Sequence, residues 1–126
     1  MNSAWRDATN AGDLTAARGL LDAGADINAL DEHGQTALIN AAYRGDVELT
    51  QLLIQRGAEL DRAAKYRLTA LMLAVINSRT EVVRLLVEAG ADRNIAGSYG
   101  SFACTPLQYA QKSGQDEIAQ ILRNGT

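Results

Sequence analysis

The hexapeptide Ala23-Gly24-Ala25-Asp26-Ile27-Asn28 returns as Arg56-Gly57-Ala58-Glu59-Leu60-Asp61 and again as Ala89-Gly90-Ala91-Asp92-Arg93-Asn94, each time after 33 residues. A period of this length requires a stack of similar supersecondary units, because one such unit cannot bury its own apolar face. The stack is quasi-one-dimensional, each unit touching only its neighbours, and it presents a long curved surface in place of a single deep pocket. Binding is therefore expected ahead of catalysis.

The period runs beyond that phrase. Thr36-Ala37-Leu38 recurs as Thr69-Ala70-Leu71 after 33 residues and as Thr105-Pro106-Leu107 after 36. The three extra residues fall between Ala91 and Thr105, since the segments on either side keep their register, so the 92–104 loop is longer than its counterparts. Each unit reads as two short helices. Thr36, Thr69 and Thr105 suit an N-cap, and Pro106 takes the first helical position, which needs no N–H. Gly45 and Gly114 stand where a left-handed residue ends the first helix, with Ser78 at the equivalent place and Asn77 beside it. Leu49, Leu52 and Leu53, then Val82, Leu85 and Leu86, then Ile118, Ile121 and Leu122 give each second helix one buried stripe. In the turn Asp31-Glu32-His33-Gly34 the glycine supplies positive φ. Its counterpart Ala64-Lys65-Tyr66-Arg67 puts Arg67 at the glycine position, and a rebuilt turn is expected there in preference to a strained one.

Taken together, Asp31, Gly34, Thr36-Ala37-Leu38, Ala41-Ala42, Gly45, Leu52-Leu53 and Gly57-Ala58 resemble the 33-residue pattern of ankyrin repeat proteins, and the resemblance extends over nearly all of residues 3–126. Tetratricopeptide, HEAT and armadillo repeats have longer periods and lack the Gly-Ala-Asp-x-Asn turn. The resemblance implies an all-α solenoid of helix-turn-helix units with protruding β-turn loops. It forms a single domain over 1–126, with units at about 1–30, 31–63, 64–96 and 97–126. Register places Ser3 with Thr36, Trp5 with Leu38 and Ala8 with Ala41, so the first unit begins near Ser3 and Trp5 belongs to its core. Arg6, Asp7 and Thr9 give that unit's first helix a wetter outer side, and Arg123 does the same at the other end, as terminal units of an open stack require. One departure concerns the position after the Thr-Pro-Leu run, where the family carries histidine and this chain has Ile39, Met72 and Gln108. The usual threonine–histidine hydrogen bond is missing, and Ile39 and Met72 are expected to add apolar surface near the inner face.

Composition removes several function classes. A net charge of −3 and a pI near 5.0 give no basic footprint for nucleic acid or an anionic membrane. Residues 1–12 lack the apolar core of a signal peptide, and no segment reaches the roughly 18 apolar residues of a membrane span. Cys104 is the only cysteine, which excludes an intrachain disulfide and, with the absent leader, points to the cytoplasm. His33 and Cys104 are the only thiol–base candidates, and they stand two units apart, on the order of 20 Å in such a stack. Asp31-Glu32-His33 has no second His or Cys to close a zinc site. Asp116-Glu117 and Asp46 with Glu48 lie at helix starts, where they complement the dipole. No phosphate-binding, dinucleotide or metalloprotease motif occurs. The chain reads as a non-enzyme with no catalytic residue, cofactor or metal.

By the resemblance, a partner protein binds along the turn tips and the concave side of the first helices. Register puts Glu32, His33, Gln35, Tyr43 and Arg44 there from the second unit, and Lys65, Tyr66, Leu68, Ile76 and Asn77 from the third. The long last loop adds Tyr99, Ser101 and Phe102, with Lys112 on the helix behind it. Tyr43, Tyr66, Ile76, Tyr99 and Phe102 form an apolar series on a side that solvent alone would fill with charge, and aromatics dominate interface energetics. Arg62, Lys65 and Arg67 make one turn basic on an acidic chain, suited to an acidic partner surface. The expected behaviour is a protein-interaction module, monomeric alone; the alternative is a self-associating structural or scaffold protein that uses the same face.

Overall fold

Thr36, Thr69 and Thr105 stand in extended backbone, and each hydroxyl accepts a hydrogen bond from the amide three residues on, at Ile39, Met72 and Gln108, all at 3.2 Å. Each threonine thereby satisfies an orphan donor and starts a helix. At Thr105 the bond is reciprocated, since the Gln108 side chain accepts from the Thr105 amide at 2.9 Å. The residue that replaces histidine there restores a two-way cap.

The computed structural model describes residues 1–124, and among them there are eight α-helices and no strand beyond an isolated bridge between Ala63 and Thr69. The helices come in pairs: α1 (Ser3–Ala11) with α2 (Leu14–Asp22), α3 (Ala37–Arg44) with α4 (Val47–Gln55), α5 (Ala70–Ile76) with α6 (Thr80–Glu88), and α7 (Pro106–Lys112) with α8 (Asp116–Asn124). The first members stack in the order α1, α3, α5, α7, and the second members form a parallel row behind them. Gly45, at φ 76°, and Ser78, at φ 57°, end α3 and α5 in the left-handed conformation. Asn77 takes an ordinary φ of −97° and contributes differently, its side-chain amide donating to the Leu73 carbonyl at 2.8 Å.

The core lies between the two rows. Leu38 and Leu71 fill it from the first helices, while Leu49, Leu53, Val82, Leu86, Ile118 and Leu122 fill it from the second. Ile39 and Met72 are buried too, which corrects the expectation that they add surface to the inner face. Helices on both sides and behind enclose α3 and α5, so an apolar side chain in their first turns is taken inside. Thr9 is likewise buried instead of wetting α1, because its hydroxyl donates to the Trp5 carbonyl at 2.9 Å and needs no water.

The repeated phrase has a mechanical role in the stack. Its last residue accepts a backbone bond from the following copy: Asn28 Oδ1 from the Glu59 amide at 2.9 Å, and Asp61 Oδ1 from the Asp92 amide at 2.8 Å. A second set of links runs along the ends of the first helices, where carbonyls would otherwise lack partners. Arg44 Nη2 donates to the Thr9 carbonyl at 2.9 Å, Arg79 Nε to the Tyr43 carbonyl at 3.2 Å, and Gln115 Nε2 to the Val75 carbonyl at 2.9 Å. Each pair after the first therefore reaches back to its predecessor.

The Ala64–Leu68 turn keeps the framework bonds of its predecessor but rebuilds the backbone between them, since Tyr66 has a positive φ and the equivalent His33 does not. Ala64 N–H donates to the Leu68 carbonyl and Arg67 N–H to the Ala64 carbonyl, reproducing the Asp31–Gln35 and Gly34–Asp31 bonds of the preceding turn. Arg67 accepts the glycine position at φ 60°, and Tyr66 joins it at φ 62°. In the earlier turn Asp31 Oδ1 receives the amides of His33 and Gln35, a support that Ala64 has no side chain to offer. Left-handed backbone costs a non-glycine residue about 1–2 kcal/mol, so Arg67→Gly is expected to stabilise the chain by about 0.5–1 kcal/mol after the entropy of glycine is counted. A thermal melt checks this, and a lowered midpoint would show that the turn carries no releasable strain.

Candidate partner-binding face

The residues expected to meet a partner lie on the first helices and on the turns that precede them. Tyr43 and Lys112 are exposed on the helices, and Glu32, His33, Lys65, Tyr66, Tyr99 and Ser101 on the turns. Arg44 is exposed as well, although its guanidinium is already engaged at the Thr9 carbonyl. Gln35, Leu68, Ile76, Asn77 and Phe102 are half-buried. Leu68 packs against the core, and Phe102 lies 5.8 Å from the Tyr109 ring, tilted by 43°, which fastens the loop to α7. Ile76, in register with Tyr43, presents only part of its side chain.

Tyr66 and Tyr99 meet across two neighbouring turns. Their rings stack at 5.0 Å with 25° between planes, and both remain well exposed, at 43% and 65%. The Ser98 amide donates to the Tyr66 carbonyl at 2.8 Å, so backbone as well as rings joins the two turns. Lys65 Nζ sits 5.1 Å from the Tyr66 centroid, within the range of a cation–π contact. The loop is shaped to reach this position. Gly97 N–H donates to the Cys104 carbonyl, in the place where Asp31 bonds Gln35 and Ala64 bonds Leu68, so the three extra residues lie between Gly97 and Cys104. They close into a 3₁₀ turn at Gly100–Phe102 that folds back over Gly97.

At the other end of the face, α1, α3 and the Asp31–Gln35 turn enclose an open cleft of about 460 Å³. Arg6 and Asn10 contribute from α1, Asn40, Tyr43 and Arg44 from α3, and the turn supplies Asp31, Glu32, His33 and Gln35. Burial pushes the Asp31 carboxyl up, but hydrogen bonds from the Asn40 side chain at 3.0 Å and from the Gln35 and His33 amides outweigh it, helped by the charge of His33. The net effect holds Asp31 below the usual carboxylate range. Glu32 lies 3.8 Å from Arg6 and 3.7 Å from His33. Arg6, Asn10, Asp31 and Asn40 were not among the residues expected from the sequence. Asn10 shares its register with Tyr43 and Ile76, and Asn40 with Leu73 and Tyr109, so the period itself carried that signal.

The exposed side chains of the face are charged and aromatic. Cys104 is buried, its thiol 3.5 Å from the Ser101 carbonyl, and among the described residues no three His, Cys, Asp or Glu side chains converge on a point where a metal could sit. No helix among the described residues is long and apolar enough to cross a membrane.

The family model described as ankyrin repeats (3 copies) matches residues 5–97. The crystal structure of an ankyrin repeat domain from Acinetobacter baumannii superposes with a TM-score of 0.86 at 36% sequence identity, over 94% of this chain. This chain spans 61% of the length of that one. A search of curated proteins finds no match.

Proposed function

Because the chain belongs to the ankyrin repeat family, whose repeats are generally protein–protein interaction modules, we propose that it binds a partner protein in the cytoplasm, without catalysis, through its concave face and turn tips. The observation that carries this reading is the Tyr66–Tyr99 stack. Two large rings are left in water and yet held in one place by each other, by the Ser98–Tyr66 backbone bond and by Lys65. Scattered exposed rings are ordinary, but a pre-arranged pair supplies contact area with little ordering cost on binding. Tyr43 extends the apolar series along α3, and Glu32, His33 and Lys112 provide a polar rim. The half-buried Gln35, Leu68, Ile76, Asn77 and Phe102, with Arg44 and Ser101, shape and support the surface around those contacts.

The face is of a size for one standard interface of about 800 Å² per partner. The test is affinity capture from the native host with the wild-type chain and with Tyr66→Ala combined with Tyr99→Ala. Because both rings are exposed, helical content and melting should stay nearly constant, while retention of the captured protein falls by about thirtyfold, as loss of a central aromatic pair implies. A doubly substituted chain that still retains its partner would place the binding surface elsewhere.

A further inference from the structure

The acidic residues of this chain avoid half of the concave face. Residues 62–80 and 93–115, which build the Ala64–Leu68 turn with α5 and the Gly97–Cys104 loop with α7, contain no Asp or Glu and hold six of the twelve Lys and Arg. All fifteen carboxylic residues therefore lie in the remainder, and the net charge of −3 conceals a strong segregation. Three of the six cations are committed within the fold. Arg62 lies 3.4 Å from Glu59, Arg79 donates to the Tyr43 carbonyl, and Arg93 Nη1 donates to the Leu122 carbonyl at 2.8 Å. Lys65, Arg67 and Lys112 have no carboxylate within ion-pair distance among the described residues. Lys65 and Arg67 flank Tyr66 in the chain, and the left-handed backbone at Tyr66 and Arg67 fixes how the turn displays them. The Asp31–Gln35 turn offers no such free cations: its Glu32 lies 3.8 Å from Arg6 and 3.7 Å from His33.

Resting on the binding reading above, we infer that the occupant of the Ala64–Leu68 turn and the Gly97–Cys104 loop is an acidic peptide segment of a partner protein, with an apolar or aromatic residue beside its carboxylates. The carboxylates meet Lys65 and Arg67, and the apolar residue covers the Tyr66–Tyr99 rings. Burial against two rings and pairing with unneutralised cations act at one place, so affinity comes from the rings while encounter and orientation come from the charges. Single-stranded nucleic acid also combines negative charge with stackable rings. Three free cations on a chain of net −3 make a poor phosphate track, however.

Selection from a display library of random peptides against the immobilised full chain tests the inference. Enriched sequences should be acidic with an aromatic or apolar residue. As synthetic fluorescent peptides, their affinity should fall by about tenfold or more with Lys65→Glu plus Arg67→Glu, fall again with Tyr66→Ala, and weaken in high salt. Enriched peptides that are neutral or basic, or that ignore the charge reversal and respond to Tyr43→Ala, overturn the acidic assignment and leave the binding module standing. Absence of any enriched peptide also overturns it, and capture from the host then judges the module separately. Tighter binding of an oligothymidine probe than of the best peptide would overturn it in favour of nucleic acid. Circular dichroism of the charge-reversed chain guards against misfolding, and Lys65→Gln with Arg67→Gln, which removes charge without reversing it, should give an intermediate loss.

Discussion

Trp5→Ala is expected to cost about 4 kcal/mol and to unravel α1 and α2 while α5 to α8 remain folded. Trp5 is 1% exposed and occupies the register position that Leu38 and Leu71 fill in the next two helix pairs. Its pair has little else to bury. α2 contributes only Ala17 to the fully buried set, with Leu14, Leu20 and Leu21 half-exposed, where α4 supplies Leu49, Leu52 and Leu53. The indole is therefore most of the core of this pair, and among the described residues no helix packs on the side of α1 and α2 away from α3 and α4. In a linear stack each unit depends on its neighbours alone, so the damage stays near that end. Hydrogen exchange should show fast amides across residues 3–22 and unchanged protection across 70–122. Uniform loss of protection would mean that the stack unfolds as one block. Trp5→Phe should cost far less, because it keeps a large ring and removes the indole N–H, which is buried without a partner.

Gly97→Ala is expected to destabilise the chain by about 2–3 kcal/mol and to loosen the proposed binding face at the same time. A Cβ at residue 97 would lie 2.2 Å from the Phe102 carbonyl oxygen and 3.1 Å from Leu68 Cδ2. The obstacle is backbone, which cannot swing aside as a side-chain tip does. Relief requires the Gly100–Phe102 turn to lift, and that turn is what carries Tyr99 to Tyr66. The stacked pair should separate, so a binding loss and a melting loss should appear together. A comparison with Ser101→Ala, which alters an exposed side chain of the same loop without touching that contact, isolates the cause. Unchanged melting of the Gly97→Ala chain would show that the loop does not close over residue 97.

Much of the fold was legible because its determinants are short-range. The threonine caps, the left-handed ends at Gly45 and Ser78, and the apolar spacing of α4, α6 and α8 each act within a turn or two of helix, so reading a few residues suffices. The failures were of two kinds. At Arg67 the expectation weighed local strain alone, whereas the turn is also held by its Ala64–Leu68 bonds and by the neighbouring Ser98 amide, and these keep the framework at the expense of Tyr66 and Arg67. At Ile39, Met72 and Thr9 the register was right and the exposure wrong, since burial depends on what lies on the other side of the helix. The face itself was half legible. Its aromatic members stood out by type, while the cleft at Arg6, Asn10, Asp31 and Asn40 joins residues that are unremarkable one at a time.

The 33-residue period, with caps and glycines in fixed places, already dictates an ankyrin-type stack of paired helices, because it leaves no other way to bury the apolar stripes. Which side chains stay free on the proposed face depends instead on how the units stack. Arg44 is engaged because the Thr9 carbonyl, 35 residues earlier, lies within reach, and Tyr99 is displayed because three additional residues fold over a glycine and bring it onto a ring in the adjacent turn. Helix caps are satisfied within a few residues of chain, but freedom to bind is settled by contacts between neighbouring copies of the repeat, and those contacts exist only once the copies are stacked.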